Sequence, residues 1–147
     1  MKKYIAIAIL LPIMAFLGAM YFYNKNINIL DFNIEKDDIK AVIINTNSGS
    51  YKVSDIEQVL EITNEASKLK KLAKLQDSST ENMDHPEVYT GILIQTIDDK
   101  TYGGQFWKND SRVIMDGNGY LWLVSESLLQ WLDKAMNGAE KISPLLN

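Results

Sequence analysis

One histidine, no cysteine and nineteen carboxylates are the chemically versatile side chains of this 147-residue sequence. Without cysteine there is no disulfide framework, thiolate metal site, thiol nucleophile or acylated lipoprotein cysteine. His85 stands beside Pro86 in a polar stretch, far from any Gly-x-Ser-x-Gly elbow, His-Glu-x-x-His pair or phosphate-cradling glycine loop, none of which occurs. Catalytic residues, metal and cofactor are therefore all expected to be none. Asp37-Asp38 and Asp98-Asp99 are adjacent acids in turn-like stretches, which read as solvated charges. A carboxylate-dependent cell-envelope hydrolase using Asp98, Asp99, Asp110 or Asp116 stands as the alternative function. Asp116-Gly117-Asn118-Gly119 looks like part of a calcium loop. Placing Gly119 at its sixth position puts Ile114 at the first and Ser125 at the twelfth, where carboxylates are required. A tight hairpin turn is the better reading.

Binding chemistry is better represented. Tyr102, Phe106, Trp107, Tyr120, Trp122 and Trp131 fall within thirty residues. Tyr102, Trp107, Tyr120 and Trp122 are the candidate binding residues, a platform for a glycan, peptide or second protomer. The competing explanation is that Trp122 and Trp131 pack as core between the last strand and the last helix. Gly103-Gly104, inside an otherwise strand-like run, marks a bulge or a close backbone approach.

The elements that would position these residues follow from periodicity. Asp38 to Thr46 is a β-branched run, Asn47-Ser48-Gly49-Ser50 supplies a turn, and Tyr51 to Val53 resumes an extended segment. An additional strand near Ile29 to Ile34 carries only a weak pattern. Ser54 with Glu57 forms a capping box, followed by an apolar stripe through Ile56, Val59, Leu60, Thr63, Ala66, Leu69 and Leu72 or Ala73. Lys68, Lys70, Lys71 and Lys74 then fall in the last helical turns, a solvated cationic end. Residues 76–87 form a polar loop, long for a compact domain. Strands are expected over Tyr89 to Ile97, Thr101 to Trp107, Arg112 to Met115 and Tyr120 to Val124. A second helix runs from Ser125 to Asn137, with Leu128, Trp131, Leu132, Ala135 and Met136 on one face and Gly138 to end it. The fold class is α+β: an amino-terminal transmembrane helix, then an antiparallel hairpin and meander packed on one side by two amphipathic helices.

Residues 4–24 carry no charge and follow Lys2 and Lys3. About 20 helical residues span the roughly 30 Å hydrocarbon core of a bilayer, and Tyr21, Phe22 and Tyr23 would sit at the far interface. The best cleavage position, after Ala19, has Leu17 where a small residue belongs, which favours a retained anchor over a signal peptide; secretion after cleavage is the alternative. Lys2 and Lys3 against Lys25 alone orient the amino end toward the cytoplasm. The expected organisation is 1–25 anchor, 26–36 linker, 37–142 a single extracytoplasmic domain and 143–147 a tail. Beyond Lys25, twelve basic residues face nineteen acidic ones, a formal charge of −7. That balance excludes nucleic acid as a partner, because phosphate neutralisation needs a basic footprint.

A basic start, an apolar span, strand-turn-helix and a meander ending Gly119-Tyr120-Leu121-Trp122-Leu123-Val124 resembles the layout of small exported or membrane-anchored proteins of Gram-positive bacteria, many of unknown function. The resemblance implies an extracytoplasmic location and carries no catalytic motif. The expected function is a membrane-anchored binding or regulatory module at the cell surface, held by residues 4–24 and contacting a protein, peptide or cell-wall partner.

Overall fold

A computed structural model describes residues 12, 25–75, 83–84, 88–108 and 111–143. The apolar span at 4–24 lies outside the described residues apart from Pro12. Among the described residues no helix is long and apolar enough to cross a membrane. His85, Asp110 and residues 144–147 also lie outside them.

Among the described residues ten strands and two α-helices follow one another: β1 (Asn26–Ile29), β2 (Phe32–Glu35), β3 (Ile39–Thr46), β4 (Gly49–Val53), α1 (Ile56–Ser67), β5 (Lys70–Lys74), β6 (Tyr89–Thr96), β7 (Thr101–Lys108), β8 (Arg112–Asp116), β9 (Tyr120–Leu123), α2 (Glu126–Met136) and β10 (Glu140–Ile142). Eight strands form one sheet in the order β10-β4-β3-β6-β7-β8-β9-β5, antiparallel at every step, while β1 and β2 form a separate hairpin. The expected α+β fold, with a hairpin and meander and two helices, is present.

Alternation along the strands sorts the sheet into two faces. The inner face presents Val42, Ile44, Ile92, Ile94, Phe106, Ile114 and Trp122, all in one buried cluster with Val59, Ile62 and Ala66 of α1 and Leu128, Leu129, Leu132 and Ala135 of α2. Both helices begin at a side-chain cap. The Asp55 carboxylate accepts from Gln58 N, and Ser125 Oγ accepts from Leu128 N, satisfying donors that the first turn leaves unpaired.

Four sequence expectations change. Residues 26–36, expected as a linker, hold the β1–β2 hairpin, whose Ile29, Leu30 and Ile34 are buried in the same core. Its turn uses Leu30 and Asp31 at φ 52° and 65°. This is the left-handed geometry of tight hairpins, written in residues that do not advertise it. The helix cap is Asp55 in place of Ser54. The first helix stops at Ser67, and the lysine-rich segment expected to finish it is β5, paired with β9. Pairing with β9 satisfies backbone groups along one side of this short run, and that outweighs its helical pattern. Three lysines on a five-residue edge strand also suit an edge that must not attract another chain. Finally, β10 closes the opposite edge by pairing with β4; three residues are too few to show a period.

The sheet turns on β7. A Cβ built on Gly103 would lie 1.9 Å from the Ile92 carbonyl oxygen of β6, and one on Gly104 would lie 2.4 Å from the Met115 oxygen of β8. At these two positions the strand is rolled, so that a side chain would run along the sheet into its neighbours. Gly103→Ala should therefore cost about 3 kcal/mol in chemical unfolding. Gly117→Ala, where a Cβ meets nothing within 4 Å, should stay within about 0.5 kcal/mol.

Candidate functional site

The outer face of the sheet carries no described helix. Register places Asn45, Gly91, Gln105 and Met115 in one row across β3, β6, β7 and β8, with Ile43, Leu93 and Gly103 in the next. Trp107 and Val113 pair one row further along. Gly91 and Gly103 raise no side chain here, and the result is a trough of about 970 Å³. Asn45, Leu93, Gln105, Trp107 and Met115 line it, and the Asp116–Gly119 turn and Lys74-Leu75 close one end. Ser50 Oγ donates to Asn45 Oδ1 at 2.8 Å. The Asn45 amide nitrogen then stands over Gly91, 3.2 Å from where a Cβ would sit. The lining thus combines primary amides, an indole, a thioether and exposed peptide backbone. Such a surface suits an uncharged polar ligand with apolar faces.

Of the four aromatic candidates only Trp107 is on this face. Trp122 is buried on the inner face, where its Nε1 donates to Asp116 Oδ2 at 2.9 Å. Tyr120 shares that face under Lys71 Nζ, which lies 3.6 Å from its ring centroid. Tyr102 stacks against Phe32 of the hairpin at 5.3 Å. Strand parity separates Trp107 from the other three, so the four do not form one platform. Gln105, Asn45, Leu93 and Met115 were not singled out from sequence. The signal that could have found them is the outward row opposite Gly91 and Gly103, which needs the strand register.

Asp116 explains the calcium-like turn. Its Oδ1 accepts from Asn118 N at 2.8 Å and Tyr120 N at 3.0 Å, while Oδ2 takes the Trp122 indole. Both oxygens are used by protein donors, and Gly119 adopts φ +80° to complete the turn. Lys71 pairs with Asp31 at the tip of the hairpin while lying over Tyr120, fastening the hairpin to the edge of the sheet. That pairing holds the Lys71 ammonium above its ordinary pKa.

Among the described residues the remaining candidate carboxylates do not converge. Asp98 and Asp99 sit on the β6–β7 turn, Asp116 on the β8–β9 turn. Asp98 is bonded by Lys100 and Thr96, which hold its pKa down at about 2, whereas a general acid needs a raised one. Asp99 pairs with Lys40 at 2.9 Å. Among the described residues no three His, Cys, Asp or Glu side chains are grouped to hold a metal ion. No known family, curated protein or solved structure matches this chain, so no activity, ligand or partner is carried over from a relative.

Asp116→Asn places an amide NH₂ or a single carbonyl where two acceptor oxygens now serve three donors. It should lower stability by about 2 kcal/mol and shift the fluorescence of Trp122, measured in one denaturant titration.

Proposed function

We propose that this chain is a membrane-anchored, extracytoplasmic binding module without catalytic activity, and that it holds a glycan or peptide strand of the cell envelope in the trough on the outer face of its sheet. The observation that supports this most is the glycine floor: Gly91 and Gly103, two positions without side chains, rimmed by Asn45, Gln105, Trp107 and Met115. Indole and amide groups pair naturally with ligands that offer both hydrogen-bonding groups and apolar faces. The formal charge of −7 beyond Lys25 also argues against nucleic acid and anionic lipid as the ligand.

The anchor rests on the uncharged span at 4–24 and the weak cleavage position after Ala19. The carboxylate hydrolase gains no support from Asp98, Asp99 or Asp116, whose oxygens are committed to Lys100, Lys40 and the β8–β9 turn.

Photocrosslinking tests the trough in intact cells. A crosslinker at Gln105 should capture wall glycan or an envelope peptide, and Trp107→Ala should reduce that capture about tenfold or more. A crosslinker at Lys134, on the helical side, should capture little. Capture from Lys134 alone would remove the trough from consideration. Protease added to intact cells should shave off the domain and leave the amino-terminal span behind; a soluble secreted form beginning near Met20 would contradict the anchor.

A further inference from the structure

A second cavity lies where α2 meets the sheet, at the end of β7 away from the Asp116 turn. Its volume is about 160 Å³, well below the roughly 300–1,000 Å³ of sites for drug-sized ligands. Tyr89, Phe106, Trp107, Leu129, Arg112 and Asp133 line it. Tyr89 and Phe106 are buried and form its base, their ring centroids 6.1 Å apart, while Arg112 and Asp133 are exposed at its rim.

Two features of that rim point to a ligand. Arg112 and Asp133 carry opposite charges around one small opening, yet among the described residues neither forms an ion pair, with the other or with a third group. The Tyr89 hydroxyl donates to Asp133 Oδ1, which orients the carboxylate and leaves Oδ2 for an incoming donor. Burial, and secondly that bond to Asp133, keep the Tyr89 phenol protonated well above its ordinary pKa, so the orienting donor persists at every physiological pH. A cation placed beside Asp133 would also lie among aromatic rings, whose faces attract positive charge.

We infer that this cavity binds a small zwitterion of amino-acid size, its ammonium group held by Asp133 and the aromatic walls, its carboxylate by Arg112, and its apolar side chain against Phe106 and Leu129. A zwitterion satisfies both rim charges at once; a simple amine or a simple acid satisfies only one of them. Guanidinium suits a carboxylate because it donates two parallel hydrogen bonds. The site is distinct from the trough, with which it shares only the Phe106-Trp107 stretch of β7. A free amino acid bound here would touch the same strand that floors the trough.

The experiment uses the full chain and three matched probes: L-valine, isobutylamine (the ammonium without the carboxylate) and isovalerate (the reverse). Valine should shift the Trp107 indole and Leu129 methyl resonances saturably, with each single-charge analogue about tenfold weaker or more, the worth of one charged hydrogen bond. Arg112→Gln should reduce valine binding to the level of isobutylamine, and Asp133→Asn to the level of isovalerate. Both are rim positions, and thermal unfolding confirms that each variant is folded. Met115→Glu, in the trough, should leave the valine titration unchanged, so failure of the trough reading and failure of this one are separately visible. The inference is overturned if valine does not saturate, if the three probes bind alike, or if both rim variants bind valine as the wild type does.

Discussion

Adjacent glycines on β7 set the shape of the sheet. With a Cβ at either position, the carbonyl oxygens of Ile92 and Met115 could not remain at their present distances, so the strands on either side would have to separate. The roll of β7 at this point lets the inner face close around the two helices and the hairpin. On the outer face Gly103, with Gly91 of β6, leaves two positions without the side chains that normally stud a sheet. Core closure and the trough are two consequences of one local constraint.

The inner face is then secured at both ends. Asp116 fixes the β8–β9 turn and holds the Trp122 indole inside the core. Lys71 ties the tip of the hairpin to the adjacent edge strand. Asp116 is a buried charged group whose desolvation cost is offset by directed partners, while Lys71 is an exposed one. The hairpin matters for position as well as stability, because it directly follows the apolar span of the chain. With Ile29, Leu30 and Ile34 in the core, the hairpin from Asn26 to Glu35 is part of the folded unit. In the anchored arrangement proposed above, the domain would sit close to the bilayer.

Much of this arrangement was legible in the sequence because period-2 and 3.6-residue patterns are strong where one face is buried. The four meander strands, the Asn118-Gly119 turn and the helix capped by Ser125 follow directly from such patterns. Gly103-Gly104 also read correctly as a close backbone approach. Three elements were hidden for identifiable reasons. The β1–β2 turn uses Leu30-Asp31, which costs local strain that core burial and the Lys71 ion pair offset. The pattern Leu69-Leu72-Ala73 continues a helical stripe, and only tertiary pairing with β9 makes it a strand. The trough residues come from four strands whose register a single sequence does not show, so Trp107 was found but Asn45, Gln105 and Met115 were not. The opposite placement of Trp107 and Trp122 is a matter of strand parity, and the two belong to different strands.

The central claim is that the outer face is occupied where the protein works. Hydroxyl-radical footprinting of intact cells against purified full-length protein addresses it directly. Trp107 and Met115 should be strongly protected in cells and oxidised once purified, while Trp131, on the helical layer, reacts equally in both. Equal oxidation of Trp107 and Met115 in the two samples, or protection confined to Trp131, would contradict it.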